Sequence, residues 1–218
     1  MGYSAQPFAV DLDKVRQIFG SNNLSLLEKV KSSKLYEHYS SQSDDYDFDE
    51  ALKDIVVRYI KPEDRKETKR FFGFIKNKPS SGLNPEFAHT YGYALLVICD
   101  ILGTSLSDAG DIFYAGGEAW TKVNEIFKTK GITIDLDRMW GDEKLFDLPD
   151  NLDFPGITHY SKEEISYLLN ELAKIEIQDL RASYYNEEFE EVEELITTFK
   201  EGLQICKDKN VEFVSFLH

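Results

Sequence analysis

The chain has 218 residues, 40 of them acidic and 25 basic, for a formal charge of −15. A chain of this length can bury roughly 70% of its unfolded surface in one core without help from disulfides. Its negative field disfavours nucleic acids and anionic membranes as partners and favours a basic protein.

Two cysteines, Cys99 and Cys206, sit on apolar or small faces of helical patterns, and such low usage fits a reducing compartment. With the scattered His38, His89, His159 and His218 they offer no zinc-like spacing. The opening MGYSAQPFAVDLDK has no basic segment followed by an apolar run, so no signal peptide is expected. Gln6 stands where a myristoylation site wants Ser or Thr, and a cytoplasmic setting is expected.

Residues 3–10 predict a strand, in which Pro7 implies an edge or a bulge. Asp11 caps a short helix with Leu12, Val15, Ile18 and Phe19 on its apolar face and Gly20 as its stop. A second helix runs from Leu24 to about Ser33, held by Leu24, Leu27 and Val30. Residues 40–50 are loop-like. Asp45, Asp47 and Asp49 alternate as in a calcium loop, but Glu50 replaces the required glycine and Val56 the bidentate glutamate, which excludes that site. Phe48 to Ile60 predicts a helix facing Leu52, Ile55, Val56 and Tyr59 inward. Pro62 starts another, and its basic residues alternate with Glu63, Asp64 and Glu67, so it reads as an ion-paired surface. A turn-rich connector occupies 77–85.

The clearest helix is Asn84 to Gly103, with Asn84 as N-cap, Pro85 at the first position, Glu86 beside the positive pole and Gly103 as a left-handed stop. It is apolar or small nearly all round, as a core helix is. His89, Tyr93 and Asp100 make its polar stripe, but Asp100 lies about 16 Å along the axis from His89, too far for a relay. His89 and Tyr93 are kept as a candidate binding face.

Another helix follows Gly117, with Trp120, Val123 and Phe127 inside and Gly131 as its stop. Ile132 to Asp135 predicts a strand, and Asp135 and Asp137 form a DxD pair whose carboxylates can converge on Mg²⁺ or Mn²⁺. Residues 146–160 read as a long Pro/Gly-punctuated connection, with Trp140 and Phe154 among the aromatics along this region. Ser161 and Glu164 form a capping box for the next helix. The last helix, from about Asn186 to Lys207, repeats Val192, Ile196, Phe199, Leu203 and Cys206 at helical spacing. Glutamates crowd its first turns, among them Glu187, Glu190 and Glu194, and make an acidic knob for a basic partner. VEFVSFL closes the chain as an alternating strand.

FAVDLDKVRQIFGS, HTYGYALLVICDILGTSL, LDFPG and VEFVSFLH together resemble an uncharacterised bacterial family, a domain of unknown function. The resemblance spans most of the chain. It implies no activity, cofactor or active site, and its bacterial membership supports a cytoplasmic setting. The expected fold is one α+β domain over 1–218, predominantly helical around a small sheet of the N-terminal strand, 132–135 and the C-terminal strand. Three functions follow as expectations. The first is a non-catalytic binding protein of the immunity type, using an acidic surface and no cofactor. The second is a Mg²⁺- or Mn²⁺-dependent transferase or phosphohydrolase using Asp135 and Asp137. The third is a small-molecule sensor using the 140–160 aromatics and the His89–Tyr93 face.

Overall fold

A computed structural model describes residues 5–42, 47–65, 81–106, 117–133, 138, 143–150, 155–176 and 186–218; at 42, 117–120, 186–189 and 191 it describes the backbone alone. The elements in chain order are β1 (Ala5–Val10), α1 (Leu12–Ile18), α2 (Leu24–Lys31), α3 (Lys34–Gln42) and α4 (Phe48–Lys53), which widens into a π-turn at Asp54–Arg58. Two 3₁₀ turns, Pro62–Asp64 and Pro85–Phe87, precede α5 (Ala88–Leu102). Then come β2 (Thr104–Ser105), α6 (Gly117–Thr129), β3 (Gly156–Tyr160), α7 (Lys162–Leu172), α8 (Asn186–Lys209) and β4 (Glu212–Leu217). The fold is α+β: helices and one antiparallel sheet, ordered β2-β1-β4-β3, that includes both terminal strands. Within this length the chain forms two compact units, one of residues 1–12, 103–143 and 154–218, the other of 13–102 and 144–153.

In the first unit the terminal strands pair along their whole length, from Ala5 opposite Leu217 to Val10 opposite Glu212. Pro7 lies inside this ladder rather than at an edge. In an antiparallel strand the N–H and C=O of one residue point to the same neighbour. The Pro7 carbonyl accepts from Leu106 N at 3.0 Å, so its missing donor faces the β2 side, and the ladder to β4 loses nothing. One sheet face (Ala5, Ala9, Phe213, Leu217, Tyr160) joins a core with Val123, Phe127, Ile165, Leu168, Val192, Ile196, Phe199 and Leu203 from α6, α7 and α8. Tyr160, Phe199 and Phe213 meet at centroid distances of 5.7 to 6.0 Å. Phe8, Val214 and Phe216 on the opposite face are buried too, so β4 alternates in direction but not in burial.

β3 corrects the reading of 146–160 as wholly a connection, since its last five residues pair with β4 from Gly156–Leu217 to Tyr160–Phe213. Ile132 and Thr133 are coil instead of the start of a strand, and 134–135 lie outside the described residues. So do 66–80, which hold most of the helix expected after Pro62; its first turn is 3₁₀.

In the second unit α5 carries the core: Tyr91 and Ala94 to Cys99 are fully buried. Asn84 caps its entry, accepting from Glu86 N at 3.1 Å. Gly103 is not in the left-handed region, whereas Gly20 (φ 65°) and Gly131 (φ 68°) are. In α2, Leu26 joins Leu27 and Val30 inside and Leu24 is exposed. The buried Asp54 is satisfied on both oxygens, by Arg58 at 2.8 Å and by the Tyr91 hydroxyl at 2.9 Å. That hydroxyl also accepts from Asn84 N at 3.2 Å. Tyr91→Phe removes the hydroxyl donor to a buried carboxylate and the acceptor of a backbone N–H. We expect a loss of ~2 kcal/mol, read by calorimetry as a fall of about 4–8 °C in Tm; an unchanged Tm would show that neither group depends on the hydroxyl.

Candidate functional site

Among the described residues of the first unit, a charged cluster surrounds β3. Ser161 caps α7 by accepting from Glu164 N, and the Glu164 carboxylate accepts from Ser161 N at 2.8 Å, the capping box expected from the sequence. Glu164 also receives Arg138 at 2.5 Å, and the same guanidinium donates to Glu143 at 2.5 Å and to the His159 carbonyl at 3.0 Å. It lies 4.9 Å above the Tyr160 ring. His159 Nδ1 is 2.5 Å from Glu143 Oε2.

A carboxylate beside an imidazole and a guanidinium suggests acid–base chemistry, but the backbone contacts give the cluster another purpose. β3 is an edge strand, and an edge presents unpaired N–H and C=O groups. At Ile157 and His159 those groups point away from β4. The Ile157 carbonyl accepts from Glu143 N at 3.0 Å, His159 N donates to the Glu143 carboxylate at 3.0 Å, and the His159 carbonyl takes Arg138. Thr158 adds a hydroxyl bond to the Arg138 carbonyl at 2.5 Å. Arg138 and Glu143 thus close the free edge of the sheet.

The electrostatics agree. Burial alone would push the Glu143 carboxyl up, but His159 and Arg138 overcome it and bring it down to about 2. Glu164 moves down as well, because the Ser161 backbone and Arg138 outweigh its burial. These carboxylates stay ionised at neutral pH, whereas a general base is tuned toward the working pH. The second unit follows the same pattern. Burial would raise Asp49, but Lys31 and Tyr36 hold it below the ordinary range; Lys53 and Arg58 hold Glu50 low. Burial pushes Tyr36 up to about 12, with Asp49 adding to it.

Of the residues singled out from sequence, His89, Tyr93, Glu190 and Glu194 are described with their side chains. His89 is half-buried with its Nε2 3.1 Å from the Thr90 hydroxyl, and Tyr93 stacks on Tyr39 at 4.6 Å. Glu190 and Glu194 are exposed on α8. Asp135, Asp137, Trp140, Phe154 and the Glu187 side chain lie outside the described residues. Among the described residues no three His, Cys, Asp or Glu side chains gather as a metal site. Burial pushes the Cys206 thiol up to about 12 and raises Cys99 further, so both behave as core residues. Asp100 is half-buried, and desolvation raises its carboxyl.

Sequence reasoning found Ser161 with Glu164. It missed the meeting of Glu143 with His159; the signal available was the β-branched and aromatic content of Ile157, Thr158 and Tyr160 after Pro155-Gly156.

Among the described residues no helix is long and apolar enough to cross a membrane. No curated protein and no solved structure matches the chain. A family model described as "Domain of unknown function (DUF7691)" matches residues 1–218, and the chain belongs to that family.

Proposed function

We propose that this is a non-catalytic binding protein of the immunity type that engages a basic partner through its acidic surface. The observation that carries the reading is the contrast between two sets of acids. Asp49, Glu50, Asp54, Glu143, Glu164 and Glu171 are each held by a lysine or arginine. Glu190 and Glu194, one turn apart on α8, are exposed and make no ion pair among the described residues. With a formal charge of −15, that face attracts a basic protein and repels phosphate backbones. The ionisation pattern supports the same reading, since the paired carboxylates move away from neutrality. The setting proposed with it is the cytoplasm, with Cys99 and Cys206 as buried thiols.

The test is capture from source-cell lysate with the immobilised chain and with a Glu190→Lys/Glu194→Lys variant, at low and at moderate salt. A basic protein retained at low salt by the parent chain, released as salt rises and lost with the variant, is the expected result. Retention of the same proteins by the variant would exclude this face.

A further inference from the structure

A cleft of about 470 Å³ opens within the second unit, between α1, the segment after the π-turn and the turn at 144–147. That volume lies in the range of small-ligand sites. Its walls are aromatic and already packed on one another: Phe19 meets Tyr59 edge-on at 5.1 Å and Phe146 at 5.0 Å.

Its lining is locally basic on a strongly acidic chain. Arg16, Lys61 and Lys144 contribute positive charge, and Arg16 lies 5.5 Å over the Phe146 ring. Their own partners hold them weakly. Arg16 is 3.6 Å from Asp13 with both side chains more than two-thirds exposed, Lys144 pairs with the exposed Asp150, and Lys61 makes no ion pair among the described residues. Exposed pairs of this kind exchange readily for another anion. Of the two lining carboxylates, Asp147 is held by Arg65 at 3.1 Å, which leaves Glu63. At a few ångströms these local charges outweigh a net charge whose more distant members are screened by salt.

The wall is also strained. Phe146 and Asp147 both have φ of 58°, two successive non-glycine residues in the left-handed region. The strain is held in place from inside the unit: the Tyr59 hydroxyl donates to the Phe146 carbonyl at 3.1 Å, and Arg65 donates to that same hydroxyl at 3.0 Å while gripping Asp147. Backbone strain that the surroundings over-determine clusters at ligand sites. Here it fixes Phe146 at the cleft wall, beneath the Arg16 guanidinium.

We propose that this cleft binds a small planar aromatic molecule bearing one anionic group, its ring against the half-buried Phe146, which Phe19 and Tyr59 back from inside, and its anion at Arg16, Lys61 and Lys144. The proposal uses no residue of the acidic face of α8, and neither reading depends on the other.

Calorimetric titration of the full chain with 1-naphthyl phosphate, 1-naphthoate and uncharged 1-naphthol tests it with one ring system and three head groups. At least one anion is expected to bind once per chain, about tenfold or more tighter than 1-naphthol. The tighter of the two identifies the head group as phosphate or carboxylate. Lys61→Glu/Lys144→Glu is expected to abolish that advantage and leave 1-naphthol unaffected, while Lys200→Glu/Lys207→Glu on α8 changes nothing. Lys144, Lys200 and Lys207 are exposed and Lys61 is half-buried, and an unchanged circular dichroism spectrum and Tm check that each variant is folded before it is titrated. Absence of binding by both anions, equal binding of 1-naphthol, or equal weakening by the α8 variant would each overturn the proposal.

Discussion

Gly20→Ala is expected to destabilise the protein by ~3 kcal/mol, and Gly131→Ala by only ~1 kcal/mol. The two glycines have almost the same φ, 65° and 68°, so both substitutions incur a similar left-handed penalty for an L side chain. They differ in what a methyl group would meet. At Gly131 nothing lies within 4 Å, whereas at Gly20 the new carbon falls 2.4 Å from the Tyr59 carbonyl oxygen. The obstacle is backbone and cannot rotate away. Nor can the Gly20 turn retreat, because Gly20 N donates to the Ile55 carbonyl at 2.9 Å and Asn22 N to Val56 at 2.8 Å. Relief requires either breaking those bonds or moving Tyr59, whose ring walls the basic cleft. Calorimetry is expected to show Tm falling by about 6–12 °C for Gly20→Ala and about 2–4 °C for Gly131→Ala. Equal shifts would show that the contact at Tyr59 is soft.

That turn also shows why some of the fold was legible in the sequence and some was not. The stops at Gly20 and Gly131, the Asn84 cap and the Ser161–Glu164 capping box are encoded within a few residues, and each stands in the structure. So does the apolar repeat of α8, from Val192 to Cys206. The helix read over 48–60 exists, but its widening at Asp54–Arg58 was not visible. Its causes are distant: the Gly20 and Asn22 amides take carbonyls of that segment, and Tyr91 holds Asp54. In 146–160 the prolines and the glycine hid a five-residue strand, and the pairing of β3 with β4 spans more than fifty residues of sequence. α3 escaped notice because KLYEHYSSQ has little apolar content; of its described side chains only Tyr39 is buried. The edge closure around β3 was half legible. Ser161 and Glu164 announce themselves three residues apart, but Glu143 meets His159 only once the strand has paired. The basic cleft draws residues from near 16, 60 and 145, and no local motif joins them.

Arg138→Lys keeps the charge of the edge closure and is still expected to cost ~2 kcal/mol at neutral pH. The guanidinium reaches three acceptors in three directions, Glu143, Glu164 and the His159 carbonyl, while its face covers Tyr160. A lysine ammonium is a single point and cannot hold all three. The figure is kept low because the side chains remain 23% to 40% exposed and solvent screens them. The pH dependence separates charge from packing. The folded Glu143 carboxyl is depressed to about 2 from an ordinary 4.5, so its contribution is fully present above about 4.5 and is lost as pH falls through about 2. In the lysine variant the folded value moves back toward the ordinary one and less is lost on acidification. The stability gap between parent and variant should therefore be widest at pH 7 and narrow steadily below about 4.5. Denaturant midpoints for both chains at several pH values measure it. A gap that stayed constant down to pH 2 would mean that Arg138 acts mainly by covering Tyr160 and that the edge of β3 is closed by shape rather than by charge.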